Sequence, residues 1–214
     1  MEDIFVEPNN SVDTDPVDLE ELLDQLPPPL RRHSRRVAVC SAIIAEYADK
    51  RFYSHGLSGM NLATSIHLGG TCHDIGKIAF PAIALAAEDY YSHPVRGVEL
   101  LKENEDEIFT SEAQAKIVKE IVHWHHEQAN GNGFPDGLKA KDIPLATAIC
   151  TIANELDHLL YNESGANSQP RDMNDVFMML KEQSGNKFCG AAVLCFEQAW
   201  PQLMDLYREW NQTE

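Results

Sequence analysis

The chain has 214 residues, enough for one domain, with 43% hydrophobic residues to fill a core and a formal net charge of −17. That acidity argues against a long nucleic acid as partner, because phosphate contacts need clustered Lys and Arg, yet it leaves room for a small phosphorylated ligand held through a bound metal. No apolar run reaches the length of a membrane span, the N-terminus is acidic, and the five cysteines form no CxxC pair, so a cytoplasmic protein with no membrane partner is expected.

Residues 1–16 are polar and acidic and read as a loosely ordered arm. VDLEELLDQL makes a short helix, ended by Pro27 to Pro29. This divides the chain into an acidic N-terminal arm over 1–29 and a single domain over 30–214. From Leu30 onward the apolar residues follow a helical period, which predicts helices over roughly 31–50, 60–74, 93–104, 111–126, 143–161, 173–184 and 190–210. No run of alternating β-branched residues is present, so the fold class is all-α, a compact helical bundle. Loops fall at Gly56 and Gly59, Gly131 to Gly137, and Gly165 to Pro170.

Helical periodicity also says where the histidines point. Residues at i, i+3, i+4 and i+7 share a face. His33 lies in line with Val37, Cys40 and Ile44. His73 extends the stripe of Leu62, Ile66 and Gly69, and His93 that of Gly97 and Leu100. In the segment IVHWHHEQANGNGFPDG, His125 follows Ile117 and Ile121, and His126 follows Val118 and Val122, whereas His123 faces out. A single inward histidine is more often a hydrogen-bonded core residue than a ligand. Five on four helices would need five separate sets of buried partners, and a shared metal centre satisfies them together. Imidazole and carboxylate ligands suit Fe, Mn, Zn or Ni.

The stretch HDIGK adds Asp74 at the end of a helix. A carboxylate has two oxygens and can bridge two ions, and two ions about 3.5–4 Å apart are suited to hydrolysing phosphate esters. Lys77 follows a glycine and can swing its ammonium toward the same phosphate.

HSRRV, HDIGKIAFP, HPVRGVELL, HHEQANGNGFP and IPLATAICTIANELDHL, in this order, resemble the HD-GYP domains, a branch of the HD phosphohydrolase superfamily. The resemblance covers roughly 30 to 200. It implies an HD-domain bundle that binds two or sometimes three metals, commonly iron or manganese, and hydrolyses cyclic di-GMP. Carried over, the metal ligands are His33, His73, Asp74, His93, His125, His126 and the position of Asn154. Asp74 and Lys77 are the catalytic pair, and Gly133, Phe134 and Pro135 form the substrate-binding turn, where glycines allow close approach and the ring stacks on a base.

The chain departs from the family at four places. Asn154 stands where the last ligand is an aspartate, with Asp157 one turn on as a compensating carboxylate. Phe134 replaces the tyrosine of Gly-Tyr-Pro. The Arg-Pro-Tyr-Arg stretch is missing and only Arg171 stands near it. The segment before His93 is short. Pro27 to Pro29 stand where three-metal members carry a glutamate, which predicts two ions, Fe or Mn first and Ni or Zn compatible. The expected function is a phosphodiesterase that cleaves a cyclic dinucleotide through a metal-bridging hydroxide. Two other readings stay open: a catalytically weakened module that binds a cyclic dinucleotide or docks on a protein partner or a second copy, and hydrolysis of another small phosphorylated ligand.

Overall fold

The fold was taken from a computed structural model that describes residues 18–48, 59–80, 87–161 and 172–213. The acidic arm, the loops around Gly56 and Gly165 to Pro170, and Arg171 lie outside the described residues. Those residues form helices α1 (Leu19–Asp24), α2 (Pro28–Glu46), α3 (Gly59–Cys72), α4 (Ala87–Glu103), α5 (Glu105–Ile108), α6 (Glu112–Trp124), α7 (Leu145–Tyr161), α8 (Met173–Glu182) and α9 (Gly190–Thr213). A 3-10 turn, Ile75–Ala79, links α3 toward α4. The all-α expectation holds, and the two isolated β-bridges among the described residues build no sheet.

Local chemistry sets the helix ends. Asp18 caps α1 through its side chain, Ser111 accepts from the Gln114 N–H to open α6, and Asp172 accepts from Asn174 to open α8. The proline run does more than end α1. Pro27 is the cap of α2, and Pro28 and Pro29 are its first helical residues, where a fixed φ and a missing N–H cost nothing. The helix therefore begins three residues before the predicted start at 31. At the other end it stops at Glu46, short of 50. Helix α4 reaches back to Ala87 instead of starting at His93, and α6 ends at Trp124, so His125 is its C-cap and His126 lies beyond it.

Two buried clusters join these helices. The larger packs Val37, Cys40 and Ile44 of α2 and Ile66 of α3 against Ile149, Ile152 and Leu156 of α7 and Phe196, Leu203 and Tyr207 of α9. The smaller gathers Leu22, Leu23 and Leu26 with Cys72, Ile75, Leu101, Val118 and Val122. Each fully buried aliphatic side chain contributes roughly 2 kcal/mol. The stripes of His33, His73 and His125 run out of the larger cluster, so the same packing that stabilises α2, α3 and α6 aims their imidazoles at one place. Close backbone approach completes the arrangement. A Cβ on Gly76 would sit 2.0 Å from the His93 carbonyl oxygen, so only glycine lets the 3-10 turn lie against α4 beside His93.

Candidate metal centre

His73 and His125 are placed by one local device. Each stands just past the end of a helix, and its Nδ1 meets the carbonyl oxygen three residues back: His73 with Gly70 at 2.7 Å, His125 with Val122 at 3.0 Å. Those carbonyls are among the acceptors that a helix end leaves without an intrahelical partner. Nδ1 of His33 lies 2.7 Å from Asp157 Oδ2. In all three rings Nδ1 faces an acceptor and carries the proton, so Nε2 holds a lone pair.

These lone pairs converge. His33 Nε2 is 3.2 Å from His73 Nε2, and His93 Nε2 is 3.3 Å from His125 Nε2. Asp74 lies between the two pairs. Its Oδ1 is 3.3 Å from His93 Nε2 and 3.8 Å from His125 Nε2. Its Oδ2 is 3.5 Å from His73 Nε2 and 3.9 Å from His33 Nε2. Two groups with ligand atoms within 4.8 Å of one another result: Asp74, His93, His125 and His126, and His33, His73 and Asp74. The His126 ring packs on His125 at 4.1 Å between centroids and stacks on Phe134 at 4.5 Å.

Burial keeps His73, His125 and His126 from charging. It pushes His73 down to about 4 and His126 to about 2, and holds His125 well below the ordinary histidine range. Burial pushes the Asp74 carboxyl up, but the Lys77 ammonium at 2.6 Å from Oδ2, with His73 and His93, outweighs it and holds the group well below the usual carboxylate range. A buried anion ringed by imidazoles, three of which burial keeps neutral, fits a divalent transition metal. Two further buried oxygens agree with that fit: Asp74 Oδ1 and Asn154 Oδ1 have no aligned hydrogen-bond donor.

Asn154 stands on α7 between Thr151, whose hydroxyl bonds the His125 carbonyl, and Asp157 and His158, which both touch His33. Asp157 does not compensate for it as a free carboxylate. Arg36 holds it bidentately at 2.6 and 2.9 Å, and His33 takes the remaining direction. The Arg36 guanidinium in turn lies 3.8 Å from the Tyr161 ring centroid. Asp157 therefore orients His33.

Gly133, Phe134 and Pro135 line the same end of the molecule. Glu127, 1% exposed, accepts the backbone N–H groups of Asp136, Gly137 and Leu138 at 2.7, 3.0 and 2.8 Å, which pins the turn. A Cβ on Gly133 would lie 2.4 Å from Glu127 Cα, so the turn folds directly onto this strut. Phe134 presses its ring on His126, where the turn meets the cluster. A cavity of about 160 Å³ opens there, lined by His125, His126, Phe134, Asn154, His158 and Lys187 among others. A larger groove of about 480 Å³ along α4 and α6, lined by Lys116, Lys119, His123 and Trp124, contains none of the convergent imidazoles, so size does not mark the site.

Sequence reasoning missed Arg36, Glu127 and His158. Asp157 shares a helix face with Asn154, which was a usable signal. Glu127 gives none, because nothing in the string distinguishes a carboxylate that collects three amides from a solvated one. Arg96 is exposed and paired with Glu99 at 2.7 Å.

The family model described as HD domain matches residues 18–191, and the chain belongs to that family. It is 28% identical over 186 residues to a protein named cyclic di-GMP phosphodiesterase from Thermotoga maritima, covering 83% of this chain and 46% of that one. It is also 28% identical over 149 residues to one named 3'3'-cGAMP-specific phosphodiesterase 2 from Vibrio cholerae, covering 65% of this chain and 27% of that one. The chain thus spans less than half the length of these relatives. A solved structure titled Bd1817, a HDG"Y"P protein from Bdellovibrio bacteriovorus, superposes with a TM-score of 0.55 at 20% identity over 86% of this chain and 53% of that one, a likeness of fold. No helix among the described residues is long and apolar enough to cross a membrane.

Proposed function

We propose that the chain is a metal-dependent phosphodiesterase acting on a cyclic dinucleotide such as cyclic di-GMP. The observation that carries this reading is the convergence of imidazole Nε2 atoms on both oxygens of buried Asp74, with Lys77 on the same carboxylate. Relatives named for cyclic di-GMP and 3'3'-cGAMP hydrolysis support the substrate class.

His33, His73, Asp74, His93, His125 and His126, with the Asn154 carbonyl, would hold two divalent ions, Fe or Mn before Ni or Zn. When bound, the ions supply Lewis-acid charge and activate water near neutral pH. The protein does the rest. Asp157 and the Gly70 and Val122 carbonyls fix the tautomers, so that lone pairs and not N–H groups face the centre. Lys77, 10% exposed, carries a charge that can pass from Asp74 to a phosphate oxygen. Phe134, fixed against His126, offers a face to a base. The 160 Å³ cavity is smaller than a whole dinucleotide needs, so it receives one phosphate and the edge of one nucleoside.

The test is chromatographic. Protein loaded with Mn or Fe is incubated with cyclic di-GMP, 3'3'-cGAMP and a panel of nucleotides. Linear dinucleotide, lost on chelation and absent from Asp74→Ala, is the expected product. Cleavage of other phosphates alone would move the substrate class. A second reading rests on Asn154: a neutral group in place of a carboxylate suits a domain that binds the dinucleotide, or docks on a partner or a second copy, without turnover. Tight binding of intact dinucleotide by protein that stays inactive with Fe, Mn, Ni and Zn would favour it.

A further inference from the structure

The two halves of the centre are unequal. On one side, Asp74 Oδ1 has no aligned hydrogen bond and faces His93 and His125, with His126 completing a group of four. On the other, Asp74 Oδ2 faces two imidazoles among the described residues, His33 and His73, and the Lys77 ammonium already sits on that oxygen at 2.6 Å. Neutral Asn154, 6% exposed, whose Oδ1 has no hydrogen-bond partner, stands on α7 between Thr151 at the His125 carbonyl and Asp157 at His33. Asp157, the nearest spare carboxylate in sequence, has its charge matched by Arg36.

Charge then decides the order of filling. Two divalent ions would share the single carboxylate of Asp74, and at the His33–His73 half an ion must also face a buried ammonium a few ångströms away. At such separations in a partly buried site, like charges interact by several kcal/mol, enough to separate two binding constants widely. A phosphate anion relieves both problems: it brings negative charge to the second ion and gives Lys77 another acceptor.

Resting on the two-metal reading above, we infer that the chain holds one ion firmly at Asp74, His93, His125 and His126, and that the His33–His73 half is a low-affinity position filled together with a phosphate-bearing ligand. Lys77 sets this difference. It competes for Asp74 Oδ2 until a phosphate draws it off, and neutral Asn154 adds no charge to the centre to offset it.

The experiment is a titration of the full chain with Mn²⁺, followed by equilibrium dialysis with elemental analysis and by Mn²⁺ EPR, with and without inorganic phosphate. The wild type should bind one ion tightly and a second at least about tenfold more weakly. Phosphate should tighten the second, and the exchange-coupled signal of an ion pair should emerge only then. Asn154→Asp should tighten the second ion without phosphate. Lys77→Met should do the same and abolish the phosphate effect. Circular dichroism of both variants verifies folding, and either substitution suffices if the other fails to fold. Two ions of equal affinity in the wild type, or a weaker site that neither substitution changes, would overturn the inference and leave the two-metal reading standing. Failure to bind any ion would remove both.

Discussion

At the scale of single residues, lone pairs and charges decide what the site can do. Among the described residues, Asp74 is the one buried carboxylate facing both imidazole pairs, so Asp74→Ala should remove metal retention and hydrolysis together, measured by elemental analysis and product chromatography. Asp157 acts through His33 and Arg36. Asp157→Asn should lower affinity for metal about 10- to 100-fold by loosening His33, read by competition with a chelating dye. Asp157→Ala should in addition cost about 3 kcal/mol of stability in urea, because it removes the carboxylate that holds the buried Arg36 guanidinium bidentately. Unchanged metal affinity in Asp157→Asn would show that His33 holds its tautomer without help. His33, His73, His93, His125 and His126 were legible from the sequence because each extends an apolar stripe, and periodicity reports a direction. Arg36 was not: a buried guanidinium and an exposed one give the same letter, and only the fold brings it within 2.6 Å of Asp157, 121 residues away in the chain.

At the scale of elements, the centre depends on where helices stop and how closely they approach. α3 and α6 both end at a histidine of the candidate metal centre whose Nδ1 satisfies one of the helix's last carbonyls. The predicted helices 60–74 and 111–126 contained these residues but each ran two positions too long, since a C-terminus closed by imidazole carries no glycine to announce it. The same blind spot hid the start of α2, where prolines read as a stop also open the next helix. Gly76 offers a direct test of the packing. Gly76→Ala would force a methyl group against the His93 carbonyl, and the 3-10 turn and α4 must separate. The expected result is weaker metal binding at the His93 side and a lower melting temperature, with helical circular dichroism retained. The Glu127 strut is a second test. Glu127→Ala frees three N–H groups of the 136–138 turn and should cost about 1–3 kcal/mol, with KM for the dinucleotide rising more than kcat falls. A pure kcat effect would contradict a role confined to shaping the mouth.

At the scale of the whole molecule, a chain of net charge −17 gathers buried imidazoles around one carboxylate, with burial keeping His73 neutral and Lys77 keeping Asp74 ionised, an arrangement suited to a cation. Removing metal should therefore unsettle the bundle as a whole. At metal concentrations about 100 times the dissociation constant, binding adds about 2.7 kcal/mol, so chelation should lower the melting temperature by roughly 5–10 °C in a domain of this size. The fold class was readable because helical periodicity persists from Leu30 to the C-terminus. The substrate mouth was less so, because the turn at Gly133 to Pro135 takes its shape from Glu127 and His126, contacts that no periodicity encodes. The central claim is that the Asp74 centre hydrolyses a cyclic dinucleotide by means of metal, and one measurement tests it most directly. Protein purified without oxygen is analysed for metal, and the same sample is assayed for conversion of cyclic di-GMP to its linear product. The account predicts bound transition metal and turnover, with turnover disappearing on chelation and returning with Mn²⁺ or Fe²⁺. Metal-loaded protein that leaves every cyclic dinucleotide intact would contradict it.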